Sequence, residues 1–214
     1  MPVRKGVSSR RRRAYYRRMT APSTDFMTAA DYLAVERKAE IRSEYIAGRM
    51  YAMSGASERH NTISLNMAAE FRNQFRGRNC RVYMADMRLK VSPTGMYTYP
   101  DVTAVCGDLQ LEDEHLDTLL NPTVIAEVLS DSTEAYDRGE KFAHYRRLES
   151  LREYVLVAQN RMRVEHYRRE GAVWVLTEIS DPEGTLHLPS IDCHIPVHAI
   201  YESVTFDAAP PPRR

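Results

Sequence analysis

The chain has 214 residues, 43% apolar and 28% charged, a composition that fits one globular domain of ordinary to large size. No window approaches the roughly 18 uninterrupted apolar residues of a membrane span, and the charged N-terminus lacks the apolar core of a secretory signal. The net charge of +1 conceals an asymmetry: residues 1–24 hold eight Arg or Lys and no acid, PPPRR adds two more, and the body has 20 basic residues against all 29 acids, net −9. General electrostatic binding of nucleic acid by such a body is excluded.

In chain order, residues 1–24 read as a disordered basic arm. It is either a loose phosphate-binding extension or an upstream start without a role. Residues 25–207 form a single expected domain, and 208–214 a Pro/Arg tail. MTAADYLAVERKAE predicts a short helix capped by Thr28, with Asp31 three residues on. SEYIAGRMYAM predicts a hairpin turning at Ala47-Gly48. Over residues 58–77, Ile63, Met67, Phe71 and Phe75 recur on one helical face.

CRVYMADMRLKV and MYTYPDVTAVCG read as strands, the first interrupted by Asp86. The acidic stretch GDLQLEDEHLD (107–117) reads as a solvated loop. PTVIAEVLSDS holds a short apolar run, the signature of a strand buried on both faces. STEAYDRGEKFAHYRRLES carries the stripe Tyr136, Phe142, Tyr145, Leu148 and predicts a helix despite Gly139. REYVLVAQ, RMRVEHYRR and AVWVLTEI predict three strands, with Trp174 a core aromatic, and HAIYESV a final helical turn. The fold class is α/β or α+β, a central mixed sheet flanked by helices. Cys80, Cys106 and Cys193 are widely spaced with no CxxC pair, which predicts reduced thiols in a cytoplasm.

Glu127 is the anomaly, because an unpaired charge inside a buried strand costs several kcal/mol. Asp101 follows Pro100 at the start of another apolar strand, where proline places it at a strand entry or an edge. Two carboxylates on neighbouring strands repel unless a cation sits between them. A hard divalent ion such as Mg²⁺ or Mn²⁺ relieves that repulsion with oxygen ligands. Lys141, one of four lysines against 26 arginines, lies on the following helix. Two readings of it stand: an ammonium beside the carboxylates, or a surface lysine paired with Glu134 or Asp137 on its own helix. The histidines show no HxxxH or HExxH spacing, and no phosphate-binding glycine motif occurs.

The ordered set YPDV, PTVIAEVLSDST and YDRGEKFAHYRRLESLREYVLV resembles the Uma-type endonuclease family within the PD-(D/E)XK nucleases. The similarity runs from MTAADYL to HAIYESV and implies a restriction-endonuclease-like fold. By that resemblance Asp101 and Glu127 are metal ligands, Val128 adds its backbone carbonyl, and Leu129 stands where the motif lysine is expected. Lys141 then supplies the ammonium as a migrated lysine. RSEYIAGRMYAMSGASERHN matches the family's N-terminal element, offering Glu44 as a third carboxylate and His60 as a proton shuttle or phosphate contact. Asp137 and Tyr145 match helix positions that orient Lys141 and pack the core.

The implied activity is a cytoplasmic, Mg²⁺- or Mn²⁺-dependent endonuclease on DNA, working as a homodimer. Arg138, Arg146, Arg147 and Arg152 are its candidate basic patch. The alternative is a non-catalytic interaction module on a retained nuclease fold, of which Leu129 would be the sign.

Overall fold

The computed structural model describes residues 26–206. The basic arm and the Pro/Arg tail lie outside the described residues. The elements in chain order are α1 (Ala29–Glu36), β1 (Ser43–Ile46), β2 (Arg49–Ala52), α2 (Glu58–Gln74), β3 (Cys80–Met84), β4 (Arg88–Val91), β5 (Met96–Thr98) and β6 (Val102–Cys106). There follow β7 (Thr118–Leu119), β8 (Val124–Leu129) and α3, in which Glu134–Tyr136, a π turn Asp137–Lys141, and Phe142–Tyr145 run on without a break. The chain closes with β9 (Glu153–Ala158), β10 (Val164–Glu170), β11 (Val173–Ile179), β12 (Thr185–Leu188), β13 (Cys193–Pro196) and α4 (Val197–Ile200).

The chain separates into two compact units. The first holds α1, β1, β2 and β5. Thr28 caps α1 as expected: its hydroxyl accepts from the Asp31 N–H at 3.1 Å, and the Asp31 carboxylate accepts from the Thr28 N–H at 3.3 Å. The Thr28 hydroxyl also donates to Asp31 Oδ2 at 2.7 Å, and that bond, with the one from the Thr28 N–H, lowers the Asp31 carboxyl from its usual value. The register Ile46↔Arg49 leaves Ala47 and Gly48 as the two-residue turn of the predicted hairpin, at φ 48° and 83°. Positive φ at both positions matches the twist of the flanking strands. A core of Tyr32, Tyr45 and Tyr97 rings, with centroids 5.1–6.0 Å apart, holds the unit together.

The second unit is built on a six-stranded sheet in the order β11-β10-β9-β8-β6-β3. β8 and β9 are parallel and every other pair in it is antiparallel, so the sheet is mixed. The parallel pair needs a crossover, and α3 provides it. All six residues of β8 are buried, as its apolar run requires. Alternation along the strands sorts the two faces. Val124, Ala126, Val128, Val155 and Val157 join Ile63, Met67 and Phe71 of α2, and Phe75 at its C-cap, in the main core. On the other face Tyr154 meets α3, stacking on Phe142 at 4.9 Å and against Tyr145 at 5.6 Å.

Several expectations are corrected. CRVYMADMRLKV breaks into β3 and β4 because Ala85-Asp86-Met87 turn the chain, so Asp86 is an exposed turn residue and not a buried strand acid. Pro100 lies between β5 and β6 in the same way. β12 and β13 form a hairpin that the sequence pattern does not disclose, its outer residues being exposed. The acidic loop is only partly solvated: Glu112 pairs with Lys90, and Asp117 approaches the buried Arg88 at 3.5 Å.

Trp174 is half-buried on the sheet's terminal strand, held edge-on by Phe142 at 5.2 Å and covered by Arg169. Cys80 and Cys106 are joined in a disulfide, against the expectation of three reduced thiols. They are direct partners across the β3–β6 ladder, a proximity that spacing of 26 in sequence does not reveal. Cys193 is a free, buried thiol.

Candidate active site

Asp101 immediately precedes β6, an interior strand, so it stands at a strand entry as Pro100 suggests. The register Val102↔Ala126 sets it beside Glu127 on β8. The Asp101 N–H donates to Glu127 Oε2 at 3.3 Å, and Asp101 Oδ2 accepts from the Val128 N–H at 2.7 Å. His60, in the first turn of α2, places Nε2 2.9 Å from Asp101 Oδ1. The Ser57 hydroxyl caps that helix by accepting from the His60 N–H at 3.1 Å.

Lys141 comes from α3 on the opposite face. Its Nζ lies 2.9 Å from Glu127 Oε1 and 3.6 Å from Asp137 Oδ1, with Lys141, Glu127 and Asp137 all buried. Of the two sequence readings the surface lysine is therefore removed: Lys141 pairs with Asp137, but inside the protein and together with Glu127. Tyr145 donates its hydroxyl to Glu127 Oε1 at 2.8 Å, and Tyr154 donates to the Asp137 carbonyl at 3.0 Å. The carbonyl it takes belongs to the π turn that ends at Lys141. Such turns widen the helix locally and recur at functional sites. Tyr145 is legible in sequence as an orienting residue; Tyr154 reads only as a strand aromatic.

Burial dominates the electrostatics. It pushes the Glu127 carboxyl up to about 8, against the pull of the Lys141 ammonium, while Asp101 and Asp137 add to the rise. Burial likewise raises the Tyr154 phenol well above its usual value. Burial thus favours the protonated form of the Glu127 carboxyl, and the Lys141 ammonium opposes it.

Among the described residues no group of three or more His, Cys, Asp or Glu side chains is arranged to enclose a metal ion. The two adjacent carboxylates, Asp101 and Glu127, fit a magnesium-type cation, which takes one or two carboxylates and keeps several waters.

Structure thus gathers His60, Asp101, Glu127, Val128 and Lys141 in one hydrogen-bonded set. Glu44 belongs to the first unit, where it is buried on β1 and accepts from the Thr98 hydroxyl. Of the four arginines expected to form a basic patch around the lysine helix, Arg146 and Arg147 are exposed at its C-terminal end. Arg138 is committed to ion pairs with Glu134 and the buried Glu165. Arg152 precedes β9, six strand residues or about 20 Å from the end of that strand. Gln159, just past the far end of β9, carries no motif signal in sequence, yet its Oε1 accepts from the Ser57 hydroxyl at 2.6 Å.

A family model described as "Putative restriction endonuclease" (Uma2) matches residues 29–197. An uncharacterized protein of Synechocystis sp., sll1609, is 36% identical over 162 residues, covering 75% of this chain and 92% of that protein. A second from the same organism, slr1290, is 32% identical over 189 residues, covering 87% and 98%. The crystal structure of a putative nuclease belonging to DUF820 from Anabaena variabilis superposes with a TM-score of 0.70 at 17% identity, covering 84% of this chain and 99% of that one. At that identity the likeness speaks for the fold, which is restriction-endonuclease-like. Among the described residues no helix is long and apolar enough to cross a membrane. With residues 29–197 matching that family model, the chain belongs to the Uma2 family.

Proposed function

We propose that the protein is a divalent-metal-dependent endonuclease that hydrolyses phosphodiester bonds in DNA, with Asp101, Glu127 and the Val128 carbonyl as metal ligands and Lys141 as the migrated lysine. The observation that carries this reading is the 2.9 Å contact between Lys141 Nζ and Glu127 Oε1. Leu129, which replaces the motif lysine, is buried and apolar, and the helix returns an ammonium to the carboxylate that needs one. Decay of a site would leave no reason to bury a lysine between two carboxylates.

Mg²⁺ or Mn²⁺, when bound, would supply Lewis-acid polarisation of the scissile phosphate and a lower pKa for a coordinated water. The chain's own groups do the positioning. Asp101 is fixed by the Val128 N–H and by His60, so its carboxylate does not swing. Tyr145 and Lys141 hold Glu127 from the other side. Lys141 orients the attacking oxygen and offsets charge that develops on the phosphate. His60 stands beside Asp101 as a proton carrier toward the leaving oxygen.

The test is nicking of supercoiled plasmid in Mg²⁺ or Mn²⁺ by the wild type and by Asp101→Ala, Glu127→Ala and Lys141→Ala. Metal-dependent nicking that disappears in all three supports the assignment. Nicking that survives in them rejects these residues, and a wild type that neither nicks nor binds metal points to an interaction module on the same fold.

A further inference from the structure

β9 runs parallel to β8 with Glu127 opposite Leu156 and Leu129 opposite Ala158. Gln159 therefore leaves the sheet beside Ser130, at the end where Asp101 and Glu127 lie. From Leu156 to Gln159 is three strand residues, about 10 Å, or roughly three nucleotide steps of B-DNA at 3.4 Å each.

The side chain of Gln159 is oriented by a chain of contacts that starts at the carboxylates. Asp101 Oδ1 meets His60 Nε2 at 2.9 Å; the His60 N–H donates to the Ser57 hydroxyl at 3.1 Å; that hydroxyl donates to Gln159 Oε1 at 2.6 Å. Fixing the amide oxygen on Ser57 turns the amide nitrogen away from it. Both N–H donors of that nitrogen are without a partner among the described residues, and the side chain is half-buried, so it is steered and yet reachable. A positioned neutral donor next to a hydrolytic site suits one ligand chemistry above others, the non-bridging oxygen of a backbone phosphate. Gln side chains serve that role in setting the register of a protein on its nucleic acid. The need for it is clear in a body of net charge −9, which cannot rely on a broad basic surface.

Resting on the nuclease reading above, we propose that Gln159 is a substrate-positioning residue that donates through its amide to a DNA phosphate within about three nucleotides of the scissile bond. The competing role is a structural tie between the start of α2 and the end of β9. Two substitutions separate them. Gln159→Glu keeps an acceptor for Ser57 but removes the donors, whereas Gln159→Ala removes both.

The readouts are anisotropy of a fluorescein-labelled duplex without added metal, KM and kcat for plasmid nicking with metal, and Tm. Under the proposal Gln159→Glu raises Kd and KM by about tenfold or more, with kcat within about twofold and Tm unchanged. Under a structural tie Gln159→Glu behaves as wild type and Gln159→Ala loses Tm, which overturns the proposal. A wild type that neither binds nor nicks the DNA fails the nuclease reading and this one with it. A wild type that does both while Gln159→Glu is indifferent fails this one alone.

Discussion

Replacing Glu127 by Gln should abolish activity and, in metal-free buffer, remove a pH dependence from stability. The native carboxyl titrates at about 8, against 4.5 for the ordinary group, because it is buried. Between those values the unfolded chain has released its proton and the native chain still holds it. The native state binds more protons, so unfolding free energy falls as pH rises through the window and levels off above about 8. At about 1.36 kcal/mol per pH unit, the full shift corresponds to about 5 kcal/mol.

The Glu127→Gln variant is thus expected to show a flat profile where wild type declines. Losing the Lys141–Glu127 contact offsets part of the gain at every pH in this range, so the slope and not the absolute stability is diagnostic. The assay is urea unfolding of both proteins from pH 5 to pH 9 in the presence of a chelator. A wild type with no decline in that range, or a variant that declines equally, would refute the assignment of the buried charge to Glu127.

Lys141→Met removes the ammonium 2.9 Å from Glu127 and should destabilise the protein by about 3 kcal/mol or more at pH 8.5, and by less at pH 6, where the carboxyl keeps its proton. Adding Glu127→Gln to Lys141→Met should recover much of that loss, and denaturant midpoints of the four proteins give the coupling directly. Gly48→Ala should cost about 1–2 kcal/mol, since φ is +83° there and the new Cβ would come within 2.6 Å of the Phe26 ring. A shift in Tm below about one degree would contradict it.

Much of the candidate site was legible because its signals are local. Glu127 breaks an apolar run and Asp101 follows a proline, each visible within a few residues of chain, whereas Lys141 stands out only in the whole-chain count of four lysines against 26 arginines and in the family resemblance. α1, with its capping box, and the Ala47-Gly48 turn follow from the same kind of short-range rule. The buried face of α2 was equally plain in the spacing of Ile63, Met67, Phe71 and Phe75.

Pairing was not legible, because strand partners are chosen by sheet register and not by distance along the chain. Register made Cys80 and Cys106 partners, put Gln159 at the same end of the sheet as the carboxylates, and placed Arg152 at the opposite end of its strand. Burial was hidden for a related reason. Whether a lysine faces water or a carboxylate depends on what its helix packs against, and α3 reaches Glu127 only because the β8–β9 crossover lays it over that face of the sheet. The residue types of the proposed site are thus written in the sequence, but the tertiary structure alone decides that Lys141 is buried and that its partner is Glu127 as well as Asp137 on its own helix.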